Sequence, residues 1–141
     1  MKAIHVSGPG KDYRLVLAGE PRPMPQAGEV LIQVSAAGLN NADLLQARGA
    51  YPPPPGASQI LGLEVSGVIA ALGEDVNGFA VGDPVCALLS GGGYAQFAIA
   101  DAGSVLPVPQ GVDLVEAAGL PEAAFTAWTN IIDMAHLAPG E

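Results

Sequence analysis

Between Ile60 and Val85 the chain reads ILGLEVSGVIAALGEDVNGFAVGDPV, two apolar runs cut by glycines where tight turns need them. Leu61, Leu63 and Val65 alternate with Gly62, Glu64 and Ser66, and Val68 to Leu72 continues as an apolar run. That pattern predicts a strand bent at Gly67. Asn77-Gly78 supplies positive φ cheaply, and Gly82-Asp83-Pro84 redirects the chain into a second run, Val85 to Leu89. Two adjacent strands buried on both faces are expected, and a chain organised around them is mainly β.

The flanking sequence agrees. Nineteen glycines and thirteen prolines in 141 residues favour short strands and turns over long helices. Lys2 to Val6 and Tyr13 to Leu17 read as half-buried strands joined through Gly8-Pro9-Gly10, and Glu29 to Ser35 as another, with Val30, Ile32 and Val34 on one face. Glu20 to Pro25 is an extended connector. Asn40 or Asn41 can cap a short helix that Asp43 complements and Gly49 stops. Tyr51 then roots a stiff proline arm, Pro52 to Pro55. Gly91-Gly92-Gly93 reads as a flexible loop before a strand from Tyr94 to Ala100, and Val105 to Pro109 as an edge segment. Asp113 to Glu116 opens a short helix that Gly119 ends, and Pro121 introduces a longer one, Glu122 to Leu137, closed by Pro139-Gly140.

This order lacks βαβ alternation, so the chain does not hold a complete nucleotide-binding Rossmann fold. The only basic residues are Lys2, Lys11, Arg14, Arg22 and Arg48, against a formal net charge of −9. That balance argues against nucleic acid or an anionic membrane as partner, because phosphate neutralisation needs clustered cations. Cys86 is the single cysteine, read as an inert core residue, so neither an internal disulfide nor a multi-cysteine zinc site can form. His5 and His136 read as core or capping residues, and Phe125, Trp128 and Ile132 as a packed helical face. With no signal-peptide pattern and no membrane-length apolar run, a cytoplasmic protein is expected.

Several motifs carry a resemblance in order along the chain: Gly38-Leu39-Asn40-Asn41-Ala42-Asp43, Tyr51-Pro52-Pro53-Pro54, Leu61-Gly62-Leu63-Glu64, Val81-Gly82-Asp83, Gly92-Gly93-Tyr94-Ala95 and Leu120-Pro121-Glu122 with Thr126. Together they resemble the N-terminal part of zinc-independent quinone oxidoreductases, the zeta-crystallin-like branch of the medium-chain dehydrogenases and reductases. The resemblance implies a GroES-like, partly open β-barrel with a few short helices over residues 1–120. It also implies a linking helix over 121–141, directed towards a Rossmann domain that binds NADPH and is expected beyond Glu141. The chain alone is then expected to be inactive, and the full-length protein to be a homo-oligomer.

Zinc alcohol dehydrogenases carry metal ligands in motifs that line up with Asn40, Leu63 and Glu122, so the resemblance implies chemistry without zinc. A quinone suits such chemistry because it becomes aromatic on taking a hydride; an activated enone or enoyl thioester is the alternative acceptor. By motif, Asn40 and Tyr51 face the reacting groups, and Asn40, Asn41 and Thr126 contact the cofactor. Each has a plainer reading: the asparagines as helix caps, Tyr51 as packing on the prolines, Thr126 as a helical threonine bonding its own backbone. Glu64 reads as a buried structural carboxylate rather than a proton carrier. A non-catalytic barrel used for association, through the edge near Val105 to Val108 and the acidic face, is the reading from another functional class.

Overall fold

The computed structural model describes residues 1–138 and 140. Strands β1 (Lys2–Ser7) and β2 (Arg14–Gly19) form an antiparallel hairpin in which Lys2 faces Gly19 and Ser7 faces Arg14. The other five strands are β3 (Glu29–Ala37), β4 (Glu64–Leu72), β5 (Pro84–Leu88), β6 (Phe97–Asp101) and β7 (Val105–Pro107). They make one antiparallel sheet in the order β6-β3-β4-β5-β7, so the central stretch does supply two neighbouring strands and the proline-flanked β7 does lie at an edge.

Residues 94–96 join the two sheets. The Ile4 N–H donates to the Tyr94 carbonyl (2.8 Å), the Gln96 N–H to the Lys2 carbonyl (3.0 Å), and the Val34 N–H to the Gln96 carbonyl (3.0 Å). One short segment therefore stitches β1 to β3, and the sheet curls into a partly open barrel. Strand β6 begins at Phe97 rather than at the expected Tyr94 because those backbone groups are shared between two neighbours.

The core is the inner face of the curl: Val30, Ile32, Val65, Ile69, Val85, Ala87, Ala98 and Ala100 are buried together. Leu31 is buried as well, so the first half of β3 is covered on both sides. Two register shifts bend the β3–β4 ladder, at Leu31/Ile32 and at Val34/Ala36. The second lies opposite Gly67, so the bend expected there has its extra residue, Ser35, on β3.

Strand β4 starts three residues later than the alternation from Leu61 suggests. Gly62 has φ +100, which interrupts the extended backbone and sends its N–H to the Asp43 carboxylate. The loop at Gly91-Gly92-Gly93, expected to be flexible, is buried; the Gly92 N–H donates to the Ile60 carbonyl (2.7 Å) and the Gly93 N–H to the Gly62 carbonyl (3.0 Å).

Helix α1 (Asn41–Ala47) follows β3, and Gly49, at φ +76, ends it as expected. Helix α2 (Leu114–Ala117) is capped by Asp113, whose carboxylate accepts the Glu116 N–H at 2.9 Å. Helix α3 (Pro121–Trp128) is shorter than expected and passes into a π-helical turn, Thr129–Met134. The Asn130 side chain donates to the Thr126 carbonyl (2.8 Å), and beyond it the Ala135 N–H reaches back five residues to the Asn130 carbonyl. Pro139, in the expected stop, lies outside the described residues. Only Pro121 of α3 is buried. Of the face expected to pack, Phe125 is half-buried, whereas Trp128 and Ile132 are 61% and 38% exposed.

His5 Nε2 lies 3.0 Å from Glu20 Oε1, in a contact that is not aligned as a hydrogen bond. Arg22, in the proline connector, stacks its guanidinium 4.0 Å from the centre of the Phe97 ring. No helix among the described residues is long and apolar enough to cross a membrane.

Candidate functional site

Two carboxylates, Asp43 and Glu64, are each 3% exposed. Burying a charged carboxylate is costly unless its oxygens are hydrogen-bonded. Among the described residues neither has a cationic partner, so neutral donors do the work. Asp43 Oδ2 accepts the Asn40 N–H (2.8 Å) and the Tyr94 O–H (2.8 Å), while Oδ1 accepts the Gly62 N–H (3.0 Å). Glu64 Oε1 accepts from Asn40 Nδ2 (2.9 Å) and Oε2 from the Glu122 N–H (2.9 Å).

Asn40 is the hinge of this network. It occupies the N-cap position of α1, where its backbone N–H meets Asp43 while its side-chain amide reaches across to Glu64. Local sequence makes the geometry possible. Any Cβ on Gly38 would overlap Glu64 Oε1, and one on Gly62 would stand 2.6 Å from the Tyr94 ring in a backbone conformation that side chains resist. Three of the spaced motifs thus meet at one place: Gly38 to Asp43, Gly62 to Glu64, and Tyr94.

The electrostatics follow from the burial. Desolvation, the hydrogen bond to Asp43 and the negative charges of Asp43 and Glu64 all push the Tyr94 phenol well above its ordinary value, so it remains a hydrogen-bond donor. Burial likewise pushes the Cys86 thiol up, a backbone hydrogen bond opposes the rise, and the charge of Glu64 adds to it. Cys86 is 1% exposed and is an unreactive core residue.

Asn40 and Asn41 line one cavity of about 390 Å³, whose remaining wall is mostly apolar and includes Leu15, Leu39, Leu44 and Leu61. Tyr51, 48% exposed, lines a neighbouring cavity of about 330 Å³ with His5, Gln46 and Gln59. Leu61 belongs to both walls. Thr126 is exposed on α3 and lines neither; its carbonyl is taken by Asn130. The structure therefore brings together the two asparagines, sets Tyr51 beside them across Leu61, and leaves Thr126 apart.

Sequence reading missed the roles of Asp43 and Tyr94. Asp43 looked like a charge complementing a helix end, and Tyr94 like a strand residue. A visible signal was the capping spacing Asn40-x-x-Asp43, which holds the acid inside the first turn. The three positions aligned with zinc ligands present an amide bonded to Glu64, an alkyl group and one carboxylate, a donor set that does not suit zinc. No cluster of three His, Cys, Asp or Glu side chains able to hold a metal occurs among the described residues.

Residues 26–110 match the alcohol dehydrogenase GroES-like domain. The chain belongs to that family. The expected GroES-like barrel is the fold observed, and the chain is a domain of the medium-chain dehydrogenase/reductase type. Over 140 residues it is 34% identical to synaptic vesicle membrane protein VAT-1 homolog-like of Mus musculus, covering 99% of this chain and 34% of that protein. Among solved structures, CurK enoyl reductase superposes with a TM-score of 0.86 at 34% identity, over 99% of this chain and 45% of the other. A mycobacterial quinone oxidoreductase superposes with a TM-score of 0.82 at 31% identity, over 100% and 44%. This GroES-like chain thus spans about a third of the length of the mouse relative and less than half of each solved chain.

Proposed function

We infer that this chain is the substrate-side domain of an NADPH-dependent quinone oxidoreductase that transfers hydride without a metal. The observation that carries the reading is the half-buried amide of Asn40, held in a fixed orientation on the wall of a ligand-sized apolar cavity. The likeness to a mycobacterial quinone oxidoreductase supports the choice of acceptor. NADPH, bound mainly by a cofactor domain joined through α3, supplies the hydride.

The chain's own residues do the rest by position. Asn40 orients the nicotinamide carboxamide or the acceptor carbonyl, and Asn41 offers a second amide on the same wall. The Tyr51 hydroxyl, exposed beside that wall, donates a hydrogen bond to an acceptor oxygen as negative charge develops there. Thr126, exposed on α3, holds the nicotinamide ribose. The leucines exclude water and accept the ring, and solvent supplies the proton that completes the hydroquinone.

The likeness to CurK enoyl reductase favours a second reading, reduction of an enoyl thioester by the same arrangement. The test is NADPH oxidation by the protein carrying its cofactor domain, with a simple quinone and with an enoyl thioester assayed side by side. Quinone turnover in excess of thioester turnover is expected. Turnover of the thioester alone replaces the first reading with the second, and turnover of neither rejects both.

A further inference from the structure

Glu64 receives one donor on each oxygen, and the two donors come from distant parts of the chain. Asn40 Nδ2 lies 24 residues earlier in the chain, and the Glu122 N–H, in the first turn of α3, lies 58 residues later. We propose that Glu64 is a positioning residue: one carboxylate sets the Asn40 amide and the start of α3 as a single unit. The proposal adds a residue to the site and rests on the reading that Asn40 faces the reacting groups.

Rotation about the last bond of an asparagine side chain is soft, and its two ends are nearly alike in shape, so an asparagine without a strong partner samples both orientations. A carboxylate only accepts, so Glu64 obliges Asn40 to turn its nitrogen inward. Gly38 lets the acid approach this closely. The other oxygen ties down the Glu122 N–H, one of the N–H groups at the start of α3 that lack a partner within the helix. Neither a leucine nor a glutamine could serve both donors, because a glutamine has one accepting end and would turn an N–H against the other donor.

Glu64→Gln keeps the shape and removes one acceptor, and Asn40→Asp with Glu64→Gln exchanges the roles. In that double variant the amide nitrogen of the introduced glutamine donates to the introduced aspartate, its oxygen still accepts the Glu122 N–H, and the formal charge of the cluster is unchanged. In the protein carrying its cofactor domain, Glu64→Gln should lower kcat for quinone reduction about tenfold or more with a much smaller change in KM. The double variant should be faster than the product of the two single losses allows. If Glu64→Gln does not fold, the double variant is compared with Asn40→Asp alone and should be the faster. Strictly multiplicative losses, or a Glu64→Gln enzyme within about twofold of the original, overturn the proposal.

A second readout does not depend on turnover. In the 141-residue chain the Asn40 side-chain amide protons should exchange slowly with solvent, and Glu64→Gln should speed that exchange about tenfold or more. An unchanged rate overturns the positioning role even if the enzyme is active. Absence of turnover in the original protein rejects the quinone reading instead and leaves the exchange result to judge Glu64.

Discussion

The Tyr94 hydroxyl stands 2.8 Å from Asp43 Oδ2, joining the segment that stitches β1 to β3 to the helix that Asn40 caps. Removing it with Tyr94→Phe leaves a buried carboxylate one donor short. Unfolding in denaturant should show a loss of about 1–3 kcal/mol, the range for a hydrogen bond to a buried charged group. Asp43→Ala should cost more, because the Gly62 and Asn40 N–H groups lose their acceptor too.

The same phenol makes stability fall at high pH. Its value is raised in the folded chain, so above the unfolded-state value of about 10 the folded form binds more protons than the unfolded one. The contribution is fully present below that pH and is lost as pH rises towards the folded value. A pH series of melting temperatures should decline above about pH 10 more steeply for the original chain than for Tyr94→Phe.

Gly62→Ala tests the close approach between the Leu61-Gly62-Leu63-Glu64 segment and Tyr94. A methyl group there meets both a backbone at φ +100 and a ring carbon 2.6 Å away. A loss of about 2 kcal/mol or more is expected from unfolding curves. A change within experimental error would mean that the segment from Leu61 to Leu63 is not held against Tyr94.

Trp128 is the single tryptophan, so its fluorescence reports on the open face of α3 without ambiguity. At 61% exposure its emission should be that of an indole in water and should be quenched freely by acrylamide. Blue-shifted, protected emission in the isolated chain would contradict the uncovered helix.

The reach of the sequence differed from element to element. Alternation along Lys2 to Val6 and the capping residues of α1 and α2 are local signals, and the structure follows them. Leu61 and Leu63 alternate equally well, yet the turn at Gly62 overrides them because its N–H is claimed by an acid 19 residues earlier. The loop at Gly91 to Gly93 looked mobile for the same reason that it is packed: glycine permits both freedom and close approach. The acids gave the weakest signal, since a lone Asp43 or Glu64 in the sequence does not reveal donors far along the chain. Asn40 and Asn41 are adjacent in the sequence, but that Leu61 lines both their cavity and that of Tyr51 appears only once the chain is folded.

Under the proposed function, amide and hydroxyl groups placed by this domain support hydride transfer with no zinc at Asn40, Leu63 and Glu122. The most direct test is quinone-dependent oxidation of NADPH by the protein carrying its cofactor domain, before and after exhaustive dialysis against a strong chelator. The expected result is turnover unchanged by chelation and reduced at least about tenfold by Asn40→Ala. Turnover that disappears on chelation and returns with added zinc would contradict the account.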